Sequence, residues 1–236
     1  MKTLIVIPTY NEHCNISLLL PKVCERVPDA HILVVDDESP DGTANEVLRV
    51  AETLPTEVML IIRKPPRGLG RAYITGFRRG IDLGYDVLVA MDADLSHDPC
   101  YLPEILSKIE GADVVVGSRY IRDGGVINWP LRRMFLSWSA NKFAQTILPL
   151  SGTDLTSGFK AYRASTLEKI GLERIHTEGY SFQVEMLYRV HQVGGTITEV
   201  PIIFYDRRLG SSKISKKEIY RGAFNLFRLA LSRRNR

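Results

Sequence analysis

Short apolar runs alternate with stretches of helical spacing through the first half of this chain. LIVIP (4–8), HILVVD (31–36), VMLIIR (58–63), VLVAM (87–91) and DVVVG (113–117) are too short for helices. They are rich in Val, Ile and Leu, as strands buried on both faces are. Helical patterns lie between them: from about Asn15 to Val27, from SPDGT (39–43) to near Leu54, from RGLGRA (67–72) to about Leu83, and over PCYLPEILSKI (99–109). Ser, Pro and Asp in SPDGT are ordinary helix starters. Strands alternating with helices predict right-handed crossovers and a largely parallel sheet. Ligands of such sheets bind beyond the carboxyl ends of the strands. Tyr10, Asp37 and Asp94 all fall at such ends, so three strands are expected to feed one crevice.

From Arg119 the rhythm changes. An irregular RDGGVINWP precedes a helical stretch over about 131–148, followed by DLTSGF (154–159), EGYSFQVEM (178–186) and the strand-like TITEVPIIFY (196–205). No low-complexity linker or internal repeat intervenes. The reading is one α/β domain, with a nucleotide-binding half over about 1–118, an acceptor-binding half over about 119–215 and a helix over about 216–236. That helix places Ile219, Tyr220, Ala223, Phe224, Phe227, Ala230 and Leu231 on one face, with Lys217, Arg221 and Arg228 largely off it. Such a face suits either a lipid interface or packing on the domain, and both can hold. Trp129, Phe135 and Trp138 pose the same choice between membrane and core.

Composition narrows the picture. With 44% hydrophobic and 25% charged residues over 236 positions, this is the balance of a globular protein able to bury a large core. No apolar run approaches the ~18 residues that span a bilayer, and MKTLIVIP is too short for a signal peptide. Cys14, Cys24 and Cys100 are odd in number and lack ligand spacing, which points to free thiols in a reducing compartment. The expected place is the cytosol or the cytosolic face of a membrane. The net charge of +4 is uneven: residues 207–236 hold ten Lys or Arg against Glu218 alone, leaving the first 206 residues at −5. A basic tail on an acidic body suits an anionic partner, and no nucleic acid is implied.

The densest chemistry is MDADLSH (91–97), where Asp92 and Asp94 follow an apolar run two residues apart. If VLVAM is a strand, both carboxylates leave its end on one side. Two hard oxygen ligands there suit Mg²⁺ or Mn²⁺ completed by substrate phosphates; the plainer reading is a solvated acidic turn. Upstream, PTYNE (8–12) offers Tyr10 and Glu12 to stack on and hydrogen-bond a nucleobase, and Asp37 is a further acceptor for a base N–H. Asp36 serves equally well as buried loop support. The five histidines show no metal spacing, and His97 reads as support for the acidic loop.

PTYNE, VVDDESPDGT, GLGRA, MDADLSH, GSRY (117–120), DLTSGF, EGYSFQVE and RRLGSSK (207–213) occur in that order. Together they resemble the polyprenol-phosphate (dolichyl-phosphate) mannose synthases of glycosyltransferase family 2, over nearly the whole chain. The resemblance implies a GT-A fold, a Rossmann-like three-layer sandwich with a mostly parallel central sheet. It also implies a divalent metal and transfer of mannose from GDP-mannose to a polyprenyl or dolichyl phosphate. Carried over by position, Pro8, Tyr10, Glu12 and Asp37 match the nucleotide-contacting segment, and Asp92, Ala93 and Asp94 match the metal-holding D-x-D. Some archaeal relatives place a Gln ligand where this chain has Ser96, a shorter and weaker candidate for a third metal ligand. Arg119 matches the Arg of G-S-R-Y, Arg207 and Lys213 match R-x-x-G-x-S-K, and Arg133 and Ser137 are candidates for the acceptor phosphate.

Charge explains how such a reaction proceeds. Transfer to an alcohol normally needs a carboxylate base, whereas a phosphate monoester with a second pKa near ~6 is largely dianionic at neutral pH. It attacks the anomeric carbon without a base, and in-line attack on an α-linked donor gives a β-linked product. The protein must supply positive charge, from the metal and from Arg119, Arg207 and Lys213. A Gly-Ser loop (Gly210, Ser211, Ser212) between the last two suits closure over the donor. Two alternatives stand beside this one. One is a family 2 transferase using UDP-glucose or a hydroxyl acceptor; the other is a phospho-receiver module, suggested by ILVVDDE. The lack of a membrane span also leaves room for a membrane-anchoring partner protein.

Overall fold

The structure, a computed structural model, describes residues 1–150, 152–175, 177–206 and 216–232. Its elements in chain order are β1 (Thr3–Thr9), α1 (His13–Arg26), β2 (His31–Asp36), α2 (Thr43–Ala51), β3 (Val58–Ile62), α3 (Leu69–Asp82), β4 (Val87–Ala90), α4 (Leu102–Lys108) and β5 (Val114–Ser118). The second half adds β6 (Gly125–Ile127), α5 (Leu131–Ile147), β7 (Lys160–Arg163), α6 (Ala164–Ile170), α7 (Tyr180–Gln192), β8 (Ile197–Pro201), β9 (Ile203–Tyr205) and α8 (Lys216–Ser232).

Seven strands form one sheet in the order β3-β2-β1-β4-β7-β5-β8, in which only the pairings of β7 are antiparallel. The expected three-layer, mostly parallel sandwich is therefore present. Alternate strand residues feed opposite layers, as a period of two requires. Leu4, Val6, Leu33, Val35 and Leu88 pack with α3, α5, α6, α7 and α8. Ile5, Ile7, Ile32, Val34 and Val89 pack with α1, α2 and α4. The strand order reverses direction between β1 and β4, and the crevice at such a switch point is where ligands bind.

Three local readings need correction. KAYR carried no strand signal, yet it forms β7 between β4 and β5; four residues with charged ends show no usable period. TITEVPIIFY is two strands rather than one: β8 completes the main sheet, and after Ile202 the chain enters β9, which pairs with β6 in a separate ribbon. The segment read as irregular before Trp129 supplies β6. The apolar face assigned to α8 is also divided. Leu226, with Leu229 and Ala230, meets the core, whereas Phe224, Phe227 and Leu231 are exposed.

Candidate active site

Tyr10, Asp37, Asp92 and Asp94 follow the carboxyl ends of β1, β2 and β4, three adjacent strands of the sheet. The residue after each of the three strand-end groups lies in the left-handed region: Asn11 at φ 60°, Glu38 at 53° and Leu95 at 61°. None is glycine, so each costs about 1–2 kcal/mol of backbone energy. These sharp turns hold the preceding side chains at the rim, and strain of this kind concentrates at functional sites.

Around the first two strands the contacts form an acid-and-aromatic pocket. Asp36 is fully buried and accepts hydrogen bonds from Thr9 Oγ1 (2.7 Å), Ser39 N (2.8 Å) and Ser39 Oγ (2.6 Å). It is loop support. Asp37 is also buried, pairing through Oδ1 with Arg63 and accepting at Oδ2 from Gly68 N at 2.9 Å. Arg67, which sequence reasoning missed, lies with its guanidinium carbon 4.3 Å from the Tyr10 ring centroid. It donates to Tyr10 Oη (2.7 Å) and to the Asp37 carbonyl (3.0 Å). Glu12 sits at the head of α1, where its N–H donates to Thr43 Oγ1 and its Oε2 accepts from Asn15 Nδ2 (2.6 Å). Pro8 is buried within β1, in register with Val35.

The paired-aspartate loop is built as tightly. Asp92 Oδ1 accepts from the Tyr73 hydroxyl at 2.8 Å, and the Asp92 N–H donates to His97 Nδ1 at 3.1 Å. His97 is buried between Phe159 and Phe204. Burial lowers its pKa, so it accepts that N–H as a neutral ring. Burial and the neighbouring Asp92 raise the Tyr73 pKa well above its ordinary value, which keeps its hydroxyl a donor. Asp94 accepts from the Ser96 N–H (3.1 Å) and from its hydroxyl. Ser96 and Ala93 are buried, and the Ser96 hydroxyl orients Asp94. Gly158 backs the loop, since a Cβ there would stand 3.1 Å from Asp92 Oδ2. Among the described residues no three acidic, His or Cys side chains converge as a complete cage. Two carboxylates completed by a diphosphate and water nonetheless suit the way Mg²⁺-like ions are held.

The remaining candidates separate. Arg119 is buried with its guanidinium bidentate on Asp154, at 2.6 Å from both Nε and Nη2, and it also donates to Thr156 Oγ1 at 2.9 Å. Burial opposes ionisation of Asp154, but Arg119 wins and holds its carboxyl below the usual range. Arg133 pairs with Asp206 at 2.5 Å and stacks over Trp129 at 4.2 Å, while Arg119 lies 5.4 Å from the same indole. Ser137, on the next turn of α5, is half-buried, and its carbonyl accepts from Asn141 Nδ2. Arg207 and Lys213 lie outside the described residues. Lys160 went unread in the sequence. It is fully buried on β7, donates to Ser157 O (2.5 Å) and Gln183 Oε1 (2.9 Å), and burial lowers its pKa to about 7.

A doubly wound sheet with an aromatic–acid pocket and a paired-aspartate loop at its switch point defines a glycosyltransferase of the GT-A class. The model of glycosyl transferase family 2 matches residues 4–171. An undecaprenyl-phosphate mannosyltransferase of Micrococcus luteus is 44% identical over 99% of this chain and 96% of its own length. A polyprenol monophosphomannose synthase of Mycolicibacterium smegmatis is 44% identical over 95% of this chain and 85% of its own. The chain belongs to glycosyl transferase family 2. The fold also matches a glucosyl-3-phosphoglycerate synthase of Mycobacterium tuberculosis crystallised with Mn²⁺ and UDP-glucose, with a TM-score of 0.69 at 18% identity over 98% of this chain and 78% of that one.

Proposed function

We propose that this protein transfers mannose from GDP-mannose to a polyprenyl phosphate, giving the β-linked mannosyl phospholipid. The observation that carries this reading is the pair Asp92 and Asp94 fixed beside the Tyr10–Asp37–Arg67 pocket, in a chain so close to two polyprenol-phosphate mannosyltransferases. Tyr10 and Arg67 offer a ring face and a cationic donor to a nucleobase.

When bound by Asp92 and Asp94, Mg²⁺ or Mn²⁺ supplies Lewis-acid stabilisation of the departing diphosphate. The residues of the chain do the rest. Tyr10 and Arg67 receive the base, and the left-handed turn after Asp94 aims the acids at the diphosphate. Arg133, stacked over Trp129, provides positive charge where the lipid phosphate approaches, and Arg119 lies near the same indole but is held by Asp154. No base is required, because the acceptor is already an anion. Arg207 and Lys213 are assigned by their motif to phosphate contacts.

A membrane face follows from α5 and α8, which touch each other. Leu131 (82% exposed), Phe135 (68%) and Trp138 on α5, with Phe224 (67%) and Phe227 on α8, present large apolar groups to the outside. Arg132 and Arg228 are exposed on the same two helices. Apolar groups edged by arginine suit an anionic lipid surface, and among the described residues no helix is long and apolar enough to cross one. The reading is a peripheral enzyme on the cytosolic leaflet.

Incubation of purified protein with labelled GDP-mannose, polyprenyl phosphate and Mg²⁺ or Mn²⁺ tests the reading directly. A mannolipid is the expected product, and Asp94→Ala should abolish it. Product from UDP-glucose in place of GDP-mannose would overturn the donor assignment.

A further inference from the structure

The EGYSF segment belongs to the second half of the chain, where Glu178 pairs with Arg71 and the Ser181 hydroxyl donates to the Glu178 carbonyl. Its Phe182 lies parallel to Tyr73, with ring centroids 6.0 Å apart and planes 2° apart. Phe77 also packs on Tyr73, with centroids 5.8 Å and planes 25° apart. Tyr73 is fully buried, and its hydroxyl is the donor to Asp92 Oδ1. Phe182 is itself seated against Gly70, where any Cβ would come within 2.9 Å of its ring.

We propose that Tyr73 is a positioning residue for the carboxylate of Asp92, and that EGYSF acts on the donor site through the Phe182–Tyr73 stack. The inference rests on the reading of Asp92 as a metal ligand. Asp92 is held at two points, its N–H on His97 and its Oδ1 on Tyr73, while its side chain stays partly exposed. With Oδ1 taken by Tyr73 and Oδ2 beside Gly158 and His97, the carboxylate is fixed in one orientation and loses less freedom when it takes a cation. A ring packed against two others has little freedom to let its hydroxyl wander. Groups that orient a metal ligand in this way typically change metal affinity by roughly 10–100-fold when removed.

The readout is Mn²⁺ binding to protein saturated with GDP, followed by electron paramagnetic resonance, with GDP affinity in chelator as the reference. Tyr73→Phe should weaken Mn²⁺ binding about 10-fold or more, while GDP affinity without metal moves less than about twofold. In an Asp92→Ala background the same change should add nothing. Phe182→Leu should weaken Mn²⁺ binding by a smaller factor, and it serves as the second probe if Tyr73→Phe melts too low to assay. Equal Mn²⁺ affinity in wild type and both variants would overturn the inference while leaving the metal reading intact. Wild type that binds no Mn²⁺ with GDP would overturn both. A loss that persists undiminished in the Asp92→Ala background would show Tyr73 acting elsewhere, and would overturn it too.

Discussion

Asp154 and Lys160 show how much of this site depends on charges that never reach solvent. Asp154 is buried against Arg119, and breaking a buried pair strands a charge. Asp154→Ala should therefore cost about 3–5 kcal/mol in denaturant unfolding; a loss below ~1 kcal/mol would mean that Arg119 finds another partner. Lys160 makes a prediction about pH. Its pKa is about 7 when folded, against ~10.4 in an unfolded chain. Between those values the unfolded state binds the extra proton, so the contribution of Lys160 to stability rises with pH through that window and is least favourable below it. Melting temperatures of wild type and Lys160→Met should converge in favour of wild type from about pH 7 to about pH 9.5. Parallel profiles would contradict the assignment. Neither residue was readable in advance: Asp154 meets Arg119 across 35 positions and Lys160 meets Gln183 across 23. Asp92 and Asp94 were readable because an apolar run ends beside them.

At the scale of elements, α3 does more than cover the sheet. Gly76 and Gly80 lie flush on β1 and β4, and a Cβ would stand 2.3 Å from Val6 Cγ1 at the first and 2.1 Å from Leu88 Cδ2 at the second. This close approach brings Tyr73 within reach of Asp92, while the Gly68 N–H at the head of α3 holds Asp37. One helix thus ties the Tyr10–Asp37–Arg67 cluster to the acidic loop. Gly76→Ala should cost about 1–3 kcal/mol through overpacking, measured by thermal or denaturant melts, and should weaken GDP binding as α3 lifts. An unaltered melting curve would show that the sheet yields there. The alternation of apolar runs and helical patterns in the first half announced β1 to β5 and their helices, since each strand is a run of apolar residues. β7 was not legible, because KAYR, charged at both ends, shows no apolar run and earns its place from its two neighbours.

For the whole molecule, the exposed aromatic residues of α5 and α8 carry the proposed membrane face. Phe135→Ala with Trp138→Ala should weaken binding to anionic vesicles at least about tenfold, given the apolar area lost, and leave GDP binding in solution unchanged. Undiminished co-sedimentation would move the lipid face elsewhere. The sequence by itself determined the three-layer α/β class and the family, and it located the strand ends that carry Tyr10, Asp37, Asp92 and Asp94. Those are consequences of local periodicity and of motifs whose residues are neighbours in the chain. Only the tertiary structure decided that Asp36 props the loop while Asp37 is tied to Arg63 and the head of α3. It also decided that Arg119 is held by Asp154, that among the described residues of α8 some apolar groups meet the core and others are exposed, and that Tyr73 stands behind Asp92. Each of those depends on distance in space between residues far apart in sequence, and hydrophobic patterning carries no record of such distances.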